Sequence, residues 1–383
     1  MNHPQDVLAA PSSNSLALRE VHRAVTCLRR GGTVRLEADA QTTLILLAAE
    51  TATAAGLTAL AEQSAGPPVL LVAPARAANL RGGAAPPGIR AGAPPNRAEA
   101  LYLTPDLLAP DTLHSLADPT LPQIHPLEMW RNDPAPPVNG AGAALALAKL
   151  GRLLPAVLAA NAAQAGPGVH HGLPAASVLA YSAAASRALV CVAEALVPLE
   201  DALDARVLAF RAPETAVEHL AIVIGHPESR DAPLVRIHSE CFTGDLLGSL
   251  RCDCGPQLRA SIRRIAEDGG GVLLYLSQEG RGIGLVNKLR AYALQDRGLD
   301  TYDANGELGW GADERDYLAA ATMLELLGIS RLRLLTNNPD KLSALLACGV
   351  EVVGRESHVI PPNGVNDRYM ATKVSRFGHL FSS

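Results

Sequence analysis

The second half of the chain is a succession of short apolar runs, each breaking off into polar or glycine-rich residues, and nothing else in the sequence limits the fold as strongly. HLAIVIGH, LVRIHSECF, GVLLYLSQEG and RLRLLT read as strands with polar residues at their ends. Between them lie helix-period segments: LVNKLRAYALQDRG, a helix around 314–327, and another from 339 to about 347 after the turn NNP. Strand–loop–helix succession of this kind implies an α/β fold of mixed α+β layers with its site at the strand ends. The first half also alternates. Residues 16–30 predict a helix leading into the strand TVRL, the Ala-rich 44–64 a second helix, PPVLLVA a buried strand, and 141–164 a further helix-compatible run before the apolar stretch SVLAYSAAASRALVCVAEAL. The segments 82–97 and 131–140 are rich in Pro, Gly and Ala and read as loops. The texture changes near 205, and 383 residues exceed what one core organises, so two domains, 1–204 and 205–383, are expected.

Charge and composition narrow the function. With 48% hydrophobic and 19% charged residues the chain has the composition of a soluble globular protein. A formal charge of −5 provides no general basic face, so nucleic acid is not an expected partner and any anionic substrate needs locally placed Arg and Lys. No apolar stretch reaches membrane-spanning length and the N-terminus lacks a signal-peptide pattern, which predicts a cytoplasmic protein with no membrane partner.

Three of the six cysteines, Cys241, Cys252 and Cys254, fall within 14 residues as C-x10-C-x-C. Such clustering suggests metal rather than disulfides. Thiolates suit Zn²⁺, and three protein ligands leave a fourth position open for water, as in catalytic sites. A structural zinc completed by a side chain such as His238, or three buried thiols without metal, fits the spacing equally well. The polar residues crowded against the first cysteine, Arg236, His238, Ser239 and Glu240, have little use in a purely structural knuckle, and strand alternation splits them between two faces.

Two loops could hold an anion. In Gln278-Glu279-Gly280-Arg281-Gly282-Ile283-Gly284, glycines at alternate positions join a strand to a helix start, where free N–H groups and Arg281 suit phosphate oxygens. In Thr336-Asn337-Asn338-Pro339-Asp340-Lys341 an Asn cap with Pro at the first helical position presents hydroxyl, amide and Lys together; a cation is disfavoured at a helix start unless an anion joins it. Each loop also has an ordinary structural reading, as a packing turn and a capped helix. A third cluster, Asp313-Glu314-Arg315-Asp316-Tyr317, reads as the opening of a helix, with Arg315 its unusual member.

With these motifs in this order, and with the blocks NKLRAYALQDRGLDT and NGVNDRYMATKVSRFGHL, residues 207–381 closely resemble GTP cyclohydrolase II. The resemblance implies hydrolysis of GTP to formate, pyrophosphate and 2,5-diamino-6-(5-phospho-ribosylamino)pyrimidin-4(3H)-one, the committed step toward riboflavin. It implies one Zn²⁺ held by Cys241, Cys252 and Cys254, Mg²⁺ on the triphosphate, and a homodimer. Arg236, Ile237, His238, Ser239, Glu240, Gln257, Glu279, Gly280, Arg281, Thr301, Thr336 and Lys341 would form the GTP pocket. Asp313 is similar to the family's proton acceptor, Arg315 to its proposed nucleophile, and Tyr292 to the tyrosine that completes deformylation. A guanidinium stays protonated in proteins, so Arg315 also reads as a clamp on developing phosphate charge. Ser277 stands where Arg is common and Trp310 where Phe is common. The other readings are a paralogue that stops at the formamide and a nucleotide-sensing or scaffold protein with a silent site.

Residues 21–64 faintly resemble the opening of 3,4-dihydroxy-2-butanone-4-phosphate synthase. The acidic magnesium loop of that family is reduced here to Glu37-Ala38-Asp39-Ala40-Gln41-Thr42-Thr43, and its Gly-His-Thr-Glu motif is missing. His170 and His171 read as loop histidines. The resemblance implies a degenerate, catalytically silent first domain.

Overall fold

The computed structural model describes residues 13–82, 96–124, 135–163, 172–311, 313–358, 360 and 364. His170, His171, most of the two Pro/Gly-rich segments, and the tail block from 363 onward except Gly364 lie outside them. The chain forms two compact units: one from its residues up to Arg81 with Asn96–Ala185 and Pro213–Thr215, the other from Ser186–Ala212 and Ala216 onward. The division thus falls near 186 rather than 205. The strand Val190–Leu196 pairs antiparallel with Arg206–Arg211 in the second unit's sheet. Its apolar residues continue those of the preceding helix, Ala175–Arg187, so texture alone does not reveal where the pairing begins.

In the first unit, helix α1 (Ser13–Arg29) leads into β1 (Val34–Glu37), and the described residues form a six-stranded sheet that also includes β3 (Val69–Val72), β4 (Glu99–Tyr102) and β6 (Leu173–Pro174). The segment 44–64 is not one helix. It splits into strand β2 (Thr43–Ala48) and helix α2 (Ala54–Gln63), whose N-cap Thr53 accepts a hydrogen bond from Gly56 N. Strand β2 pairs with β1 on one side and β5 (Ala156–Asn161) on the other. It is covered on both faces, Leu44–Leu47 being at most 1% exposed, so its side chains need not alternate and the run carries no period-two signal. The run 141–164 splits in the same way, the helix ending at Leu150 and β5 following Pro155.

The second unit is a seven-stranded sheet. Naming Val190–Leu196 β7 and Arg206–Arg211 β8, the remaining strands are β9 (Glu218–Ile224), β10 (Leu234–Ser239), β11 (Gly271–Leu276), β12 (Arg331–Leu335) and β13 (Glu351–Glu356). The order is β13-β12-β10-β11-β9-β8-β7. Strands β10 to β13 run parallel, while β9, β8 and β7 continue the sheet as an antiparallel meander. Helices Cys254–Glu267, Leu285–Asp296, Thr301–Glu307, Leu318–Leu326 and Pro339–Ala347 intervene. A core of Phe210, Val235, Ile237, Val272, Leu274, Met323, Leu324, Leu332 and Leu334 packs the sheet against them. The helix expected from around 314 starts only at Leu318, where the Asp316 carboxylate accepts from Leu318 N at 2.8 Å, and residues 313–317 form an irregular approach to it. The expected α/β class holds, and the C-terminal ends of β10, β11 and β12 lead directly into the motif loops.

Candidate active site

The thiol cluster stands at the end of β10. Cys241 opens a tight turn through Leu246, while Cys252 and Cys254 lie just before and at the first residue of helix Cys254–Glu267. All three Sγ atoms lie within 4.8 Å of one another, and Cys241 and Cys252 are 3.7 Å apart. Glycine makes this approach possible: a Cβ on Gly244 would meet Cys252 Sγ at 2.6 Å, and one on Gly255 would meet the Gly244 carbonyl oxygen at 2.3 Å. Hydrogen bonds from the neighbouring thiols, then from Lys288, drive Cys241 strongly toward thiolate. The same sharing pushes Cys252 up to about 11 and Cys254 well above the ordinary thiol value. Three thiols this close cannot all ionise side by side, and a divalent cation would take the place of the protons they share. The soft sulfur set fits Zn²⁺. His238 is not a fourth donor: its Nε2 sits 3.2 Å from both Asp245 carboxylate oxygens and its ring stacks on Tyr275 at 5.6 Å. Burial lowers its pKa. Asp245 also accepts from Cys241 N at 3.0 Å and from Tyr275 Oη at 2.9 Å, so one carboxylate orients the first cysteine and the histidine together.

The Gln278–Gly284 loop follows β11. Gly280 and Arg281 both have φ of 62°, a left-handed pair that strains a non-glycine residue at 281 and that accompanies functional sites more often than plain turns. The Arg281 carbonyl accepts from Glu314 N at 3.0 Å, which fastens this loop to the segment carrying Asp313 and Arg315. Glu279 turns inward: Oε2 accepts from Phe242 N at 2.6 Å, and Oε1 accepts from Gly280 N and Lys288 Nζ, each at 2.8 Å.

Along β10, alternation separates the residues as expected. The Ile237 side chain enters the core, so its contribution to the site is its carbonyl, which accepts from Lys341 Nζ at 2.8 Å. Arg236 is buried, with Nη1 donating to Leu335 O at 2.9 Å and Nη2 to Gln257 Oε1 at 2.6 Å; its Nε has no partner among the described residues. Burial lowers Arg236 to about 10, which still leaves it a cation near neutral pH. Ser277, at the departure from the family pattern, donates to Glu240 Oε2 at 3.0 Å.

The turn after β12 carries the expected cap, the Asn338 side chain accepting from Asp340 N at 2.8 Å. Thr336 is buried, and its Oγ1 accepts from Asn338 N. Arg315 grips Asp313 with Nε at 2.8 Å and 3.0 Å from the two carboxylate oxygens, and Nη2 adds a further contact. Burial opposes ionisation of Asp313, but the Arg315 guanidinium outweighs it and holds the carboxyl below the usual carboxylate range. Burial also raises Tyr292, whose ring has the Arg251 guanidinium at 5.0 Å and Lys288 Nζ at 5.8 Å from its centroid.

These groups surround one cavity of about 410 Å³. It brings together the three cysteines, Tyr292, Arg315 and every residue expected in the pocket except Ile237. Thr301 and Asn305 line it from the helix Thr301–Glu307, and Asp313 is not itself a lining residue but holds Arg315, which is. Sequence reasoning missed Lys288, Asp245, Asn337 and His358. Lys288 lay inside an amphipathic helical pattern, where a lysine reads as solvated. Asn337 had a signal, as the first Asn of a doublet of which the cap needs only the second. His358 follows the last strand and carries no local signal.

The sequence model of GTP cyclohydrolase II matches residues 190–357. The GTP cyclohydrolase-2 of Azospirillum brasilense is 45% identical over 374 residues, spanning 95% of this chain and 94% of its own length. That of Pasteurella multocida (strain Pm70) is 49% identical over 190 residues, 49% of this chain and 86% of the relative. Among solved structures, a two-domain 3,4-dihydroxy-2-butanone 4-phosphate synthase from A. baumannii aligns with a TM-score of 0.31 and 16% identity over 89% of this chain and 100% of that one. Identity of 45% sustained along nearly the whole chain, joined to a thiol cluster and cationic loops that meet in one cavity, makes this protein a member of the GTP cyclohydrolase II family of enzymes.

Proposed function

We propose that this chain hydrolyses GTP to 2,5-diamino-6-(5-phospho-ribosylamino)pyrimidin-4(3H)-one, formate and pyrophosphate, the first committed step of riboflavin biosynthesis, as a zinc-dependent cytoplasmic homodimer with Mg²⁺ on the triphosphate. The observation that carries this reading is that a three-thiol cluster and the cations Arg236, Arg281, Arg315 and Lys341 line the same cavity. Cys241, Cys252 and Cys254 would hold the zinc ion, which would supply Lewis acidity for activating water at neutral pH. The chain's own residues do the rest. The cations bind and orient the triphosphate, with Arg236 Nε, which has no partner among the described residues, placed to meet an oxygen. Tyr292 keeps its phenolic proton, because burial raises it, and holds that proton beside the cluster for the departing nitrogen. Asp313 orients Arg315, which clamps charge developing at phosphorus.

The first unit is, in the same proposal, a synthase-like domain without catalysis of its own. The two acids left of the magnesium loop serve local structure: Asp39 accepts from Gln41 N and Thr42 N, each at 2.7 Å, and from Asn139, while Glu37 accepts from Gly172 N at 2.7 Å. Robust formation of butanone phosphate from ribulose 5-phosphate would sink this part.

The deciding experiment incubates purified protein with GTP and Mg²⁺, with and without a zinc chelator, and follows formate and pyrophosphate together. Stoichiometric release of both, abolished by the chelator, is expected. Binding of GTP without turnover would favour a sensing role, and pyrophosphate without formate a paralogue that stops at the formamide.

A further inference from the structure

Lys288 occupies a position that the reaction sketched above does not use. Its Nζ lies 3.0 Å from Cys241 Sγ, 2.9 Å from Thr243 Oγ1 and 2.8 Å from Glu279 Oε1. The three partners belong to different parts of the site: Cys241 is a cysteine of the cluster, Thr243 lies in the turn that shapes it, and Glu279 begins the glycine-rich loop. The ammonium and the carboxylate are both largely buried, with side chains 10% and 8% exposed. An ion pair so placed is retained for geometry rather than for net stability, since desolvation of both charges offsets most of the attraction. Its geometry is that of a bridge. The other oxygen of Glu279 accepts from Phe242 N, the residue after Cys241, and Gly280 N donates back to Glu279.

We infer that Lys288 is a positioning residue that ties Cys241 to the Glu279–Gly284 loop, so that order in the metal cradle sets order in the anion-facing loop. The inference rests on the metal reading proposed above. Without metal, the three thiols have only shared protons to hold them, and the anchor under Lys288 is loose. With metal, Cys241 is fixed, Lys288 has a fixed partner, and Glu279 is held with its loop in the left-handed conformation of Gly280 and Arg281. Because coupling between sites is reciprocal, an anion that orders the loop also favours the metal.

Amide hydrogen exchange on the full chain, before and after loading with Zn²⁺, tests this without any nucleotide. In the wild type, metal should slow exchange at least tenfold both in 242–246 and in 280–284. In Lys288→Met, metal should still protect 242–246, while protection of 280–284 falls to within twofold of the metal-free protein. The sulfur-to-metal charge-transfer band of the Co²⁺-loaded variant reports whether its thiolates still bind. Should the lone Glu279 charge prevent Lys288→Met from folding, the double variant Lys288→Met/Glu279→Gln removes both charges and should give the same confined pattern. Equal metal-induced protection of 280–284 in wild type and variant overturns the inference, as does a wild type that binds metal without protecting that segment. A wild type that shows no Co²⁺ band overturns the metal reading itself.

Discussion

Asp313 and Arg315 are locked together across one intervening residue, the Arg315 Nε lying 2.8 Å and 3.0 Å from the two carboxylate oxygens of Asp313 while the guanidinium also lines the cavity. A guanidinium held in a two-pronged grip keeps its charge and loses its freedom to turn. That suits a clamp better than a nucleophile, which needs the proton removed. Arg315→Lys should therefore retain measurable turnover, Arg315→Met should lose on the order of 10²–10³ in kcat, and Asp313→Asn should fall between them by misorienting the guanidinium. Steady-state kinetics of pyrophosphate release gives the ranking. Trapping a labelled phosphoryl-enzyme in the wild type would refute the clamp.

Gly244 gives a sharper test of the cradle. A Cβ there would stand 2.6 Å from Cys252 Sγ, closer than carbon and sulfur can approach, and a tight 3.0 Å from Cys241 Sγ. Gly244→Ala should spread the three thiols and lower zinc stoichiometry well below that of the wild type, as Cys252→Ser should, whereas Gly66→Ala, with open space at its Cβ and no left-handed backbone, should leave stoichiometry unchanged. Elemental analysis of purified proteins decides, and full zinc occupancy in Gly244→Ala would remove the steric argument.

These active-site variants follow from a site that was largely legible in sequence, because its residues sit in local motifs at strand ends where chemistry and spacing can be read together. Cys241, Cys252 and Cys254 announced themselves by clustering, and Arg281 and Lys341 by standing at helix starts that otherwise disfavour cations. What stayed hidden depends on distant pairing. The bridge from Lys288 spans 47 residues to Cys241, and His358 meets Gln257 across 101. The same limit explains the fold errors. Leu44–Leu47 is a central strand covered on both faces, which has no period to distinguish it from a buried helix, and β7 belongs to the second unit only through its pairing with β8.

Asn337 should matter for stability more than for chemistry. Its amide donates to the His358 carbonyl at 2.6 Å and accepts from His358 N at 2.8 Å, with Ser357 Oγ as a second donor at 3.0 Å. Asn337→Leu keeps the branched shape but leaves two buried backbone groups unpaired, at about 1–3 kcal/mol each. Urea unfolding should show a loss of about 2–4 kcal/mol. A variant as stable as the wild type would mean that water replaces the amide.

His358 should make the protein acid-sensitive in a defined window. Its Nε2 lies 3.0 Å from the Gln257 carbonyl oxygen and 3.1 Å from Ser261 Oγ, and burial, reinforced by the Arg236 charge, lowers its pKa from 6.5 to about 4. The folded state therefore binds the proton less readily than the unfolded state. Above about 6.5 both states hold a neutral ring and His358 adds no pH dependence; between 6.5 and about 4 only the unfolded chain gains the proton, so stability falls as pH falls. Below about 4 both states are protonated and this contribution levels off. Thermal unfolding midpoints at pH 7 and pH 5 should drop more in the wild type than in His358→Gln, which keeps a side-chain donor for the Gln257 carbonyl but cannot titrate. Equal drops in the two proteins would show that another group carries the acid sensitivity.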